Sequence, residues 1–110
     1  MEKHLGKIKN VYMGHGGYQG CQFGITFELS FGSYRSSEFW GFWGSDIEVT
    51  KNTKWSEQDR IKNLGEMSMR VSNLLKQAKV SDVHDLKEKP IEVIGDGLKM
   101  ESWRLLTEVL

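Results

Sequence analysis

From Cys21 to Phe31 the odd positions carry Cys21, Phe23, Ile25, Phe27, Leu29 and Phe31, and the even positions carry Gln22, Gly24, Thr26, Glu28 and Ser30. That alternation is the period of a strand with one dry and one wet face; at helical spacing the same apolar groups would scatter around a cylinder. Burying each large side chain is worth roughly 1.5–3 kcal/mol. This strand alone therefore supplies a large part of a small domain's cohesion, and the rest of the chain has to cover its dry side.

The flanking segments predict how. Lys7 to Met13, with Ile8, Val11 and Met13 apolar, reads as a first strand, followed by a flexible glycine-rich connection from Gly14 to Gly20. Gly32-Ser33 predicts a hairpin turn into a third strand from about Tyr34 to Trp43. Ile47 and Val49 suggest a short further strand. Ser56 and Asp59 form a capping-box signature, and Ile61, Leu64, Met67, Val71, Leu74, Leu75 and Ala78 follow a helical period to about Lys79. Glu66 and Arg70 stand at i,i+4 spacing for an ion pair.

Ser81-Asp82 predicts a short helical turn to Leu86, broken at Lys89-Pro90. A hairpin then follows, with a strand over Ile91 to Ile94, a turn at Gly95-Asp96-Gly97 and a returning strand from Leu98. Trp103 to Leu110 fits either a helix or a strand, and the tight turn before it favours a strand. The expected fold is α+β, a single domain over residues 1–110. It has an antiparallel sheet of about five strands, one main helix on one face and a C-terminal hairpin.

The 15 basic and 15 acidic side chains cancel, which argues against a grip on long nucleic acid but leaves a small nucleotide open. A single cysteine excludes an internal disulfide. No apolar run reaches membrane-spanning length, and Met1-Glu2-Lys3-His4 opens no signal segment. A reduced, cytoplasmic setting without membrane contact is expected.

No chemistry-bearing motif is complete. Gly14 and Gly16 fit the start of a dinucleotide fingerprint, but Gln19 stands at its third glycine and a strand follows. The loop is either a plain connection or a cradle of backbone N–H groups for an anion. Cys21 falls on the apolar side of its strand and no third group orients His15, so a nucleophile–base pair is not expected. His4, His15, His84 and Cys21 lack metal-ligand spacing. Neither a cofactor nor enzymatic turnover is expected.

Phe39, Trp40, Phe42 and Trp43 place aromatics on both faces of the third strand, more than a one-sided sheet can hide. With Tyr18, Tyr34 and Arg35 they suit a binder of base and phosphate, the rings stacking and the guanidinium forking to the anion. The same residues would equally serve as core and subunit interface. Arg60 lies at the helix start, where an anion is also favoured.

The order of elements, together with Val83-His84-Asp85-Leu86-Lys87-Glu88-Lys89-Pro90-Ile91-Glu92-Val93 and the closing Trp103-Arg104-Leu105-Leu106, resembles small proteins encoded by bacteriophages and prophages. Its motifs are structural and carry no site residues. The resemblance implies an antagonist of bacterial immunity, either a sponge for a nucleotide second messenger or an anti-CRISPR-like inhibitor that touches a host defence protein directly. The residues and the resemblance together give the expectation of a homo-oligomeric, non-enzymatic binder of a small nucleotide. In it Tyr18, Trp40 and Trp43 stack, Arg35 and Arg60 pair phosphates, and His15 and Gln19 hydrogen-bond base or ribose.

Overall fold

The alternating stretch is strand β2 (Gln22–Phe31), with Ile25, Phe27, Leu29 and Phe31 buried, in a computed structural model that describes residues 2–96 and 99–110. Gly32, at φ 61°, turns the chain into β3 (Tyr34–Trp43). Every β2 residue from Gln22 to Phe31 pairs with its hairpin partner, Phe31 with Tyr34 and Gln22 with Trp43.

Strand β1 runs from Glu2 to Gly16, longer at both ends than the expected Lys7 to Met13. Its first residues pair with β4 (Pro90–Asp96), while Gly14, His15 and Gly16 pair with Gly24, Phe23 and Gln22. Two of the expected loop glycines therefore lie in the sheet, and the connection shrinks to the segment around a 3-10 turn at Tyr18–Gly20. A bulge at Lys9 explains why the buried Ile8 and Val11 are three apart: one extra residue resets the alternation.

β5 (Lys99–Leu105) completes an antiparallel sheet of order β3-β2-β1-β4-β5. The Gly97 of the expected Gly95-Asp96-Gly97 turn, and Leu98 as the expected strand start, lie outside the described residues. After Leu105 the chain leaves the sheet and Thr107–Val109 forms a 3-10 turn, so the expected strand to Leu110 is half correct. The departure is pinned by Leu106 N donating to Pro90 O and by the Arg104 guanidinium holding the Glu108 carboxylate with two bonds of 2.9 Å.

The chain is an α+β fold with a curled sheet. Helix α1 (Glu57–Ala78) starts at the expected capping box, Ser56 Oγ accepting from Asp59 N and Asp59 Oδ2 from Ser56 N. Met67, Leu74 and Ala78 reach the core, with Val71 and Leu75 against it. Ile61 and Leu64, expected in the same buried stripe, are exposed, and Arg60 ties the start of α1 to the loop after β3. The expected Glu66–Arg70 pair does not form. Glu66 faces Lys62 at 3.9 Å, and Arg70 turns to Glu38 and Trp40. The expected strand at Ile47 and Val49 is irregular chain, because Arg60 draws in the carbonyls of Gly44 and Ile47. Among the described residues no helix is long and apolar enough to cross a membrane.

Candidate functional site

Strand pairing sorts the aromatics of β3. Trp40 and Phe42 share the inner face with Ile25 and Phe23, while Phe39 and Trp43 share the outer face with Thr26 and Gln22. On that outer face Gly14, Gly24 and Gly41 lie side by side across three strands. A Cβ on Gly24 would run into the carbonyl oxygen of Trp40, and one on Gly41 would meet the Phe39 ring 2.5 Å away. A Cβ on Gly16 would lie 3.1 Å from the same ring. The Phe39 ring thus lies across a floor of glycines, the way an aromatic compensates for missing side chains on a sheet.

Beside this floor four side chains form a ladder. Tyr18 stands edge-on to Trp43 with centroids 6.4 Å apart. Trp43 and Trp55 are parallel at 5.4 Å, with 1° between their planes, and the Arg60 guanidinium sits 4.8 Å from the Trp55 centroid. Arg60 also donates to Gly44 O at 3.0 Å and to Ile47 O, and its Nε lies 3.4 Å from a Glu57 carboxylate oxygen. Both terminal nitrogens are engaged by backbone carbonyls, Nε is buried beside Glu57 without a hydrogen-bond partner among the described residues, and the side chain is only 11% exposed. The expectation that Arg60 pairs a phosphate is corrected on that ground: it braces the ladder from behind.

The open end of the ladder is Tyr18, 65% exposed. It sits on a turn whose neighbours Gly17, Gln19 and Gly20 have φ of 64°, 51° and 70°. Gln19 has no glycine-like freedom, and a left-handed residue of that kind costs of order 1–3 kcal/mol and marks functional turns more often than others. Its Nε2 approaches the Tyr18 hydroxyl at 3.4 Å. Tyr12, also exposed, stands on the outer face in the same row as Thr26 and Phe39.

The remaining expected site residues lie elsewhere. Trp40 is buried on the inner face, with Arg70 4.0 Å from one ring centroid and Trp103 stacked at 5.9 Å and 14°. Phe27 meets it edge-on at 4.6 Å. No face of Trp40 is left for a base, so it is a core residue. Arg35 is eight residues from Trp43 along β3, about 26 Å at strand rise. It lines a shallow recess with Lys9 and Glu28 and cannot share a small ligand with the ladder. His15 faces inward, edge-on to Phe23 at 5.4 Å, in a shallow pocket of about 280 Å³ completed by Phe42 and Ser45.

Of the expected set, the structure brings together Tyr18, Gln19, Trp43 and Arg60. Tyr12, Phe39 and Trp55 join them, and a signal for the floor lay in the sequence. A turn at Gly32-Ser33 places Gly24 opposite Gly41 and Ile25 opposite Trp40 by counting alone.

The chain matches no protein-family model, no curated protein and no solved structure. Its chemistry therefore rests on its own residues. Cys21 turns its thiol to the carbonyl of Gln19 at 3.7 Å, and His15 rests on Phe23, so the two are differently engaged. Among the described residues no group of three or more His, Cys, Asp or Glu side chains is placed to hold a metal ion. What the outer face offers is stacking surface, an amide and a phenol.

Proposed function

We propose that this protein is a non-enzymatic binder that captures a small nucleotide on the outer aromatic face, as a phage-type antagonist sequestering a second messenger of bacterial defence. The observation that carries this reading is the Tyr18 turn. A strained, glycine-flanked segment holds an exposed phenol edge-on to a tryptophan that is itself backed by Trp55 and Arg60. Such an arrangement costs stability locally and leaves one ring free to stack on a base, which contributes about 1–3 kcal/mol per base in single-strand binders. Gln19 supplies a hydrogen-bonding edge. Lys51 and Lys54, exposed on the loop that delivers Trp55, are the cations nearest to it in sequence. Recognition is led by the base and only secondarily by phosphate.

A competing reading, direct contact with a host protein, is favoured by the exposure of Tyr12 on the same outer face of the sheet. Melting the protein with a panel of linear and cyclic nucleotides separates the two. A ligand present at a hundred times its dissociation constant adds about 2.7 kcal/mol, which raises the midpoint of a chain this size by roughly 10 °C or more. The shift is expected for at least one nucleotide and is lost in Tyr18→Ala. No shift with any member of the panel sinks the nucleotide reading and leaves the protein-contact one.

A further inference from the structure

The first half of α1 presents a face that the fold does not use. Ile61 is 60% exposed, Leu64 39% and Met69 64%, on a helix whose core contacts begin at Met67. Gly65, Ser68 and Ser72 fall on the same side at three- and four-residue steps. Gly65 is the odd choice, because glycine is a poor residue for a helix interior. A Cβ built on it meets nothing within 4 Å, so no contact inside the chain asks for its absence. Exposed Ile, Leu and Met around a bare backbone describe a surface against which another backbone comes close.

The charges bordering this face identify the occupant. Glu57, one of whose carboxylate oxygens lies 3.4 Å from Arg60 Nε, stands in the first turn and Lys76 in the last, both exposed. We infer that the protein self-associates through α1, two copies crossing antiparallel about a two-fold axis that passes between Glu66 and Met67. That centre sets Gly65 opposite Ser68, Leu64 opposite Met69, Ile61 opposite Ser72 and Glu57 opposite Lys76, each contact made twice as a two-fold interface requires. The small pair at the crossing allows the axes to approach to the close end of the usual 8–10 Å range. A parallel pair would stack Glu57 on Glu57 and Lys76 on Lys76. The 15 basic and 15 acidic side chains leave no net repulsion between copies.

This inference goes beyond the ligand reading and does not need it, since the dimer is measured without nucleotide. Sedimentation velocity over a range of concentrations is expected to show a monomer–dimer equilibrium. Leu64→Glu yields a monomer with unchanged helical circular dichroism; Ser68→Arg is the companion variant should Leu64→Glu lose helicity. Glu57→Lys and Lys76→Glu each weaken the dimer, and the two reversals together restore it. Gly65→Ala raises the melting midpoint of the chain at dilution yet raises the dissociation constant about tenfold through overpacking at the crossing. A monomer at every concentration overturns the inference. So does open-ended assembly, a double reversal that fails to restore the dimer, or Gly65→Ala leaving the dissociation constant unchanged.

Discussion

The indole N–H of Trp103 on β5 donates to the carboxylate of Glu38 on β3, joining strands at opposite edges of a five-stranded sheet. The same carboxylate accepts from Trp40 Nε1 at 2.8 Å, and Trp103 packs on Phe27 at 5.2 Å. Curling brings the two edges together, and α1 lies over the seam, with Arg70 resting on Trp40.

Replacing Glu38 with alanine leaves two indole donors without an acceptor. Stability is expected to fall by about 1–3 kcal/mol in urea unfolding. Trp103→Phe removes one donor and keeps most of the packing, so it should cost less. A double-mutant cycle between Glu38 and Trp103 should show coupling; additive effects would mean that the seam does not depend on this bond.

Arg60 is expected to resist conservative replacement. Its fork reaches two carbonyls, Gly44 O and Ile47 O, while its plane covers Trp55. Lysine can offer neither geometry. Arg60→Lys should therefore destabilise almost as much as Arg60→Ala, by about 1–3 kcal/mol, and loosen the Trp43–Trp55 stack. Near-ultraviolet circular dichroism reads the second effect, and an unchanged spectrum would contradict it.

The C-terminal turn carries a pH signature. Hydrogen bonding from Arg104 holds the Glu108 carboxyl down to about 2, from an ordinary value of 4.5. A depressed carboxyl favours the folded turn above its unfolded value, and the contribution disappears as pH falls from about 4.5 to about 2. Nuclear magnetic resonance should show the Glu108 carbonyl titrating near the lower figure, with residues Thr107 to Val109 moving over the same interval. In Arg104→Gln the titration should return toward 4.5. Global stability should change little, because the pair is exposed.

Neighbouring glycines should differ sharply. Gly24→Ala forces a methyl group into the Trp40 carbonyl and is expected to cost at least about 1–3 kcal/mol. Gly14→Ala, in the same row, meets nothing within 4 Å and should be tolerated. Thermal midpoints of the two variants test the contrast, and similar losses would show that the glycine floor is not sterically graded.

What could be foreseen follows from the range of each interaction. β2, its hairpin and the capping box of α1 are local patterns, so Ile25, Gly32 and Ser56 declared their roles through spacing. The seam did not. Glu38 sits on the dry face opposite Phe27, where alternation alone would place an apolar residue, and its partner Trp103 is 65 residues away. Arg60 looked available for an anion because its acceptors are carbonyls of irregular chain, which no side-chain pattern announces. Trp40 and Trp43 differ by three positions and therefore by face, so a cluster in sequence became two clusters in space. Tyr18 and Gln19 joined Trp43 only because the glycine connection closes tightly enough to return Tyr18 to the end of β3.

The bulge at Lys9 makes β1 a strand with two phases. Ahead of it Ile8 points inward, and beyond it Val11 does. Removing that extra residue would leave a regular ladder with Ile8 and Val11 still on one face, whereas inserting one more beside it would turn the N-terminal arm over and send Ile8 to solvent. Lineages of this protein should therefore accumulate substitutions around Lys9, and could lose its codon, without gaining one.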